Sequence, residues 1–179
     1  MGLKSMIEKT FGKKEVFDMD QTTSSMYCFQ CQEAAGGVAC SKAAGVCGKP
    51  ADVANLQDLL LFVTKGIAYY NSIARKDGSN NSNTDTLIFD ALFATITNAN
   101  FDKEVFTKKI ETALEIRDII RKELELKGET FENIHDSAVW TGDSSTFAKK
   151  AAEVGILATD NEDIRSLREL ITYGLKGMA

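Results

Sequence analysis

Four cysteines stand within 20 residues as Cys28-x2-Cys31-x8-Cys40-x6-Cys47, and the chain contains no other. A C-x-x-C pair lets two thiolates meet one metal ion or two corners of a cluster. Gly36, Gly37, Gly45 and Gly48 let the later pair wrap back to complete the shell. Soft thiolates select zinc, iron–sulfur clusters or copper(I). Zinc sites commonly use two C-x-x-C knuckles joined by a longer spacer, and C-x6-C is a poor second knuckle. A cluster is wider than one ion and suits uneven spacing better. The glycines would also let backbone N–H groups approach the sulfides and tune a reduction potential, although they serve equally as turn formers. Spacing thus favours an iron–sulfur centre and leaves a zinc-binding structural module open. A thioredoxin-like pair at Cys28 and Cys31 has little support, because no βαβ pattern surrounds it.

Other chemistries find few residues. His135 is the only histidine, so Ser-His-Asp and Cys-His arrangements have little support; it reads as a surface or loop residue. Asp58 and Glu169 read as solvated helix positions, and Tyr69 and Tyr70 as packing residues. Lys108-Lys109 and the alternating charges from Glu111 to Lys127 read as a solvated helix face. These residue types by themselves single out no catalytic group.

The whole chain narrows the class further. Its 179 residues suit one large domain or two small ones. A net charge of −5 argues against a nucleic-acid groove, which needs a basic surface. No apolar run reaches 18 residues, so no membrane span is expected. The N-terminus carries Lys4, Lys9, Lys13 and Lys14 without an apolar core, unlike a signal peptide. A reducing, cytoplasmic setting with free thiols follows as an expectation.

The elements that must position the cysteines are helical. Residues 1–25 read as a polar extension with one short helix around Met6–Phe11, and residues 26–50 as the cysteine-rich loop. After Pro50, Val53, Leu56, Leu59, Leu60, Val63 and Ile67 recur at helical spacing, up to a stop at Gly78. A second helix is predicted over about Asp85–Thr97, with Leu87, Leu92 and Ile96 inward. A third runs from about Lys103 to Lys127, with Val105, Ile110, Ala113, Leu114, Ile120 and Leu124 as its stripe and Gly128 as its stop. These three would close a bundle over residues 51–128. Residues 129–143 are less regular. A helix near Ser145–Val154 breaks at Gly155, and Asp160 or Asn161 caps a last helix from about Glu162.

That last helix repeats the first. Leu56–Ala68 aligns without gaps to Leu167–Ala179, matching leucines, Asp58 with Glu169, the Lys-Gly pair and the final alanine. Helix periodicity does not require a Lys-Gly pair, so a duplicated unit is expected. Residues 129–179 would then begin a second bundle. The repeat stops at Ala179 in mid-helix without a cap, which implies a piece of a longer protein. The fold class is all-α: two similar three-helix units behind a cluster-binding loop, the second incomplete.

Met26-Tyr-Cys-Phe-Gln-Cys-Gln-Glu-Ala34, Val46-Cys-Gly-Lys49 and Leu56-Gln-Asp-Leu-Leu60 resemble the amino-terminal start of the hybrid-cluster (prismane, hydroxylamine reductase) family. Phe93–Asp102 and Glu162–Ala179 are similar to later stretches, so the resemblance covers about residues 26–179. It implies a helical domain of two three-helix bundles, with Cys28, Cys31, Cys40 and Cys47 binding a conventional cluster. The x8 middle spacer is similar to the [4Fe–4S] type and the x6 final spacing departs towards [2Fe–2S], so [4Fe–4S] is favoured. The family's hybrid iron–sulfur–oxygen cluster takes its ligands from regions beyond this match, and is expected only in a full-length protein. The implied role is electron transfer from a reductase partner, through the remaining domains, to the reduction of hydroxylamine or nitric oxide. The related carbon monoxide dehydrogenases match Met26–Lys49 less well.

Overall fold

The computed structural model describes residues 25–179, apart from Asn80 and Asn98. The short helix expected around Met6–Phe11 lies outside them. Among the described residues the protein is all-α, as its composition and periodicity implied, with six α-helices and no strand. They are α1 Ala51–Lys76, α2 Ser82–Ile96, α3 Lys103–Leu126, α4 Asp136–Val139, α5 Phe147–Val154 and α6 Glu162–Met178. Short 3-10 turns occupy Ala35–Gly37 and Ile156–Ala158.

Helix α1 is the axis of the molecule. Pro50 is extended (φ −69°, ψ 153°) and delivers the chain into it, with Asp52 beside the exposed amides of the first turn. Val53, Leu59, Leu60, Val63, Ile67 and Tyr70 are buried to within 1%, and Leu61, Phe62, Thr64 and Gly66 are buried as well. Such an apolar girth belongs to a helix covered on several sides. α3 lies along it, while α2, α4 and α5 cover the rest. The chain leaves α1 through Gly78, whose φ of +79° suits glycine.

Helix α2 begins at Ser82, earlier than the apolar pattern suggested. The Asn81 side chain accepts from the N–H groups of Asn83 and Thr84 and caps it. Asp85, the expected start, instead accepts from Asn71 Nδ2 at 2.8 Å and pairs with Arg75, tying α2 to α1. Leu87, Leu92 and Ile96 are half-buried, while Thr84, Ala91 and Thr95 occupy the fully buried positions. Asp102 caps α3 in the same manner, accepting from Glu104 N–H at 2.8 Å.

Two features of α3 differ from the sequence reading. Phe106 is fully buried and Val105 only half so. Arg117 belongs to the inward stripe and is 0% exposed, although the charge pattern around it placed it on a solvated face. Its guanidinium bonds Asp118 at 2.7 Å and the Ser137 carbonyl at 3.2 Å, which meets the demands of the buried charge. Elsewhere in the charged run Lys108, Glu111, Glu115 and Lys122 are exposed as expected, while Lys109, Asp118 and Arg121 are half-buried.

Residues 129–154 pack onto α1. Ala138, Phe147 and Ala151 belong to the same core as Leu59, Ile67, Ile110 and Leu124. His135 caps α4, its Nδ1 accepting from Ser137 N–H at 3.1 Å. Tyr70 donates to the Ala138 carbonyl at 3.1 Å and stacks edge-on to Phe131, a packing role as read from the sequence. The α1–α4 crossing is close because residue 66 is glycine: a β-carbon there would lie 2.1 Å from the Ser137 carbonyl oxygen.

Helix α6 is capped by Asn161, whose side chain accepts from Ile164 N–H at 3.0 Å. It packs on α2 and on the Ile156–Ala158 turn. In the repeat, Leu56, Leu59, Leu60 and Ile67 of α1 are 5%, 0%, 1% and 0% exposed. Their counterparts Leu167, Leu170, Ile171 and Met178 of α6 are 62%, 68%, 65% and 72% exposed. The same pattern is covered on one helix and bare on the other among the described residues.

Candidate metal centre

Residues 26–50 fold as two small turns against the start of α1. Cys28 N–H donates to the Cys40 carbonyl at 3.0 Å, and Cys40 N–H returns to the Cys28 carbonyl at 2.8 Å. This doubly bonded pair closes the first turn, which carries Cys31. The second turn sets Ala44 opposite Pro50. Gly45 N–H donates to the Lys49 carbonyl at 2.8 Å and Gly48 N–H to the Gly45 carbonyl at 2.9 Å, which places Cys47 within the bend. Gly48 makes the bend at φ +88°.

The sulfurs follow from these turns. A β-carbon at Gly45 would lie 3.5 Å from Cys47 Sγ and 3.7 Å from Cys40 Sγ, so both approach the same backbone atom. Val46 N–H points at Cys40 Sγ with N···S 3.5 Å. The amides of Gly37, Gly45 and Gly48 serve backbone carbonyls instead of sulfur, so these glycines act chiefly as turn formers. Met26, Ala51 and Ala54 pack an apolar floor with Cys40, against which Cys28 rests. Cys28 and Cys31 are half-buried, Cys40 is buried and Cys47 exposed, and all four are free thiols. Among the described residues no three histidine, cysteine, aspartate or glutamate side chains converge tightly enough for a single ion.

A polar cluster backs this loop. Lys176 Nζ, on α6, donates to Gln30 Oε1 at 2.7 Å, inside the C-x-x-C segment. Burial lowers the Lys176 ammonium to about 8, against the pull of the Asp58 and Glu169 carboxylates. Burial also raises the half-buried Asp58 to about 7; Lys176 opposes this and Glu169 adds to it. The two acids read as solvated are therefore half-buried and act on a buried lysine, a correction to the sequence reading. Their matching places in the repeat were the available signal. Lys49 is fully buried and donates to Gln57 Oε1 at 2.7 Å. Burial raises the Cys28 thiol, while a backbone hydrogen bond at Gln30 and the charge of Lys49 act the other way.

The donor set is thus four thiols with an amide N–H aimed at one sulfur and a buried ammonium close by. That set suits a thiolate-bound, anionic inorganic centre. The Prismane/CO dehydrogenase family model matches residues 26–178. The chain belongs to this family. Prismane/CO dehydrogenase relatives that it resembles include the hydroxylamine reductase of Bacteroides fragilis, 54% identical over 155 residues. Those of Desulfitobacterium hafniense strain Y51 and Clostridium novyi are 55% and 54% identical over 157 residues. Each alignment takes in 87% of this chain but only 27–28% of the relative, so the chain spans little more than a quarter of their length. The hybrid-cluster branch read from Met26–Lys49 agrees with the name these relatives carry. Among the described residues no helix is long and apolar enough to cross a membrane.

Proposed function

We propose that this chain is the iron–sulfur electron-transfer part of a hydroxylamine reductase-like oxidoreductase of the hybrid-cluster type. Cys28, Cys31, Cys40 and Cys47 would hold the centre, a [4Fe–4S] cluster in preference to [2Fe–2S]. When bound, that centre supplies one-electron redox chemistry. The chain's own residues hold it on two bonded turns, shield Cys40 on the apolar floor of Met26, Ala51 and Ala54, and point Val46 N–H at one sulfur.

The observation that carries this reading is the convergence of Cys40 and Cys47 on Gly45 while Cys40 is locked to Cys28 by two backbone bonds. The relatives' name adds the reaction: hydroxylamine takes up two electrons and two protons to give ammonia and water. Reduction would occur at a second, hybrid cluster held by parts of the whole protein beyond this chain, with nitric oxide as a further substrate. The partners are an electron-donating reductase and those remaining domains, in the cytoplasm, where thiols stay reduced.

Anaerobic loading with iron and sulfide, followed by metal and acid-labile sulfide assay, tests the proposal. About four irons and four sulfides per chain, with broad visible absorption, are expected for this cluster type. A colourless protein holding one zinc would overturn it in favour of a structural module.

A further inference from the structure

Two lysines are buried beside the cysteine loop, each donating to a glutamine oxygen at 2.7 Å. Lys176 lies in the field of two carboxylates, Asp58 and Glu169. Lys49 is 0% exposed, and its ammonium has a neutral amide, Gln57 Oε1, at 2.7 Å and the Phe101 ring at 5.9 Å. No carboxylate lies within ion-pair distance of it among the described residues, and the Asp58 carboxyl acts on it only from farther off; Lys103, Lys109 and Lys150 each have a paired carboxylate.

A buried charge without a directly paired counter-ion is disfavoured, and an amide, a ring and the Asp58 carboxyl, itself raised by burial to about 7, offset only part of that. Gln57 sharpens the point. It is itself buried, spends its oxygen on Lys49, and leaves Nε2 without a hydrogen-bond partner. Gln57 lines a small cavity with Tyr27, Cys28, Asp58 and Lys176. Lys49 follows Cys47 by two residues, and its charge acts on Cys28. An anionic centre at the cysteines would supply the close counter-charge that Lys49 lacks.

We infer that Lys49, held by Gln57, is the internal counter-ion of the thiolate-bound centre and sets its reduction potential. The inference rests on the proposed function. Reduction by a one-electron donor adds one negative charge at the cysteines and moves no charge at Lys49. A fixed positive charge stabilises the reduced state more than the oxidised one and raises the potential. Net charge, hydrogen bonds to sulfur and exposure are the terms by which a protein tunes such a centre.

The test is an anaerobic redox titration of the loaded full chain with dithionite, followed by electron paramagnetic resonance and visible absorption. Lys49→Met is expected to keep the wild-type iron and sulfide content. Its equilibrium constant for one-electron reduction should fall about tenfold, the scale of one charge acting across the protein interior, or about 59 mV. Lys49→Arg should stay near wild type. Lys42→Met, which removes an exposed lysine from the same loop, should move the potential far less.

An unchanged potential in a fully loaded Lys49→Met chain overturns the inference and leaves the proposed function standing. Should Lys49→Met not load, Lys49→Gln is read in its place. Loss of iron from both neutral variants with retention in Lys49→Arg supports the counter-ion role, and loss from all three assigns Lys49 to packing and overturns it. A wild-type chain that takes up no iron and sulfide overturns the proposed function, and the counter-ion role with it.

Discussion

Lys176 and Gln30 are 146 residues apart in the chain and 2.7 Å apart in space. The bond joins the last turn of α6 to one of the two residues between Cys28 and Cys31, so α6 reaches the cysteine-rich loop directly. Gln30→Ala would leave a buried ammonium without its neutral acceptor, at a cost of about 1–3 kcal/mol. Urea denaturation should register that loss, and hydrogen exchange should quicken at the C-terminal turns of α6 while α1 stays protected. Equal protection in both forms would show the bond to be incidental.

Gly66 and Gly174 make opposite predictions from the same substitution. At Gly66 a β-carbon would meet the Ser137 carbonyl at 2.1 Å, and backbone atoms on both sides must move. Gly66→Ala should therefore lower stability by roughly 3 kcal/mol or more, beyond the usual range for a point change. At Gly174 nothing lies within 4 Å. Gly174→Ala should raise stability by about 0.5–1 kcal/mol through helix propensity alone. Denaturant midpoints compared at constant slope decide both.

Asp58 gives a dependence on pH. Its carboxyl is raised in the fold from 3.8 to about 7, so the folded chain holds a proton there that the unfolded chain releases. The resulting stabilisation is complete below about pH 4 and disappears as pH climbs to about 7. Because the residue is half-buried, an effect on the order of 1–2 kcal/mol is expected. Asp58→Asn should flatten the stability profile between about pH 4.5 and about pH 7. A slope unaltered by the substitution would place its origin elsewhere.

Arg117 is the buried charge most exposed to loss of its partners. Arg117→Ala removes all three of its hydrogen bonds and empties a fully enclosed space, leaving the Ser137 carbonyl without this donor. A loss of about 2–4 kcal/mol is expected. Asp118→Ala removes the half-exposed partner alone and should cost less. Thermal or urea unfolding of the two variants gives the order.

Cys31→Ser tests the ligand set at its least constrained member. The other three cysteines are gathered by backbone pairing and the Gly45 turn, whereas Cys31 depends on the C-x-x-C turn. The substitution should reduce bound iron and sulfide well below wild type while helicity by circular dichroism stays the same. Full iron content in Cys31→Ser would remove Cys31 from the set.

The helical framework was legible because burial imposes periodicity. The α1 stripe and the stops at Gly78 and Gly128 all lie where spacing put them. The early start of α2 was not legible, because Asn81 caps through a side chain that no apolar pattern records. Arg117 was hidden by its neighbours: a charged residue in an alternating run reads as solvated unless a distant carbonyl is known to meet it. The four cysteines announced themselves as candidate metal ligands by spacing alone. Lys49, Gln57 and Lys176 did not, since their importance comes from burial next to that loop and from contacts across as many as 146 residues.

The bare face of α6 has a practical consequence for the polypeptide in a test tube. Leu167, Leu170, Ile171 and Met178 form a greasy strip along an otherwise charged helix, and two such strips hide more oil from water together than apart. Concentrated samples are accordingly expected to sediment faster and scatter more light than dilute ones. Handling at low concentration, or with a mild detergent, should keep the molecules separate.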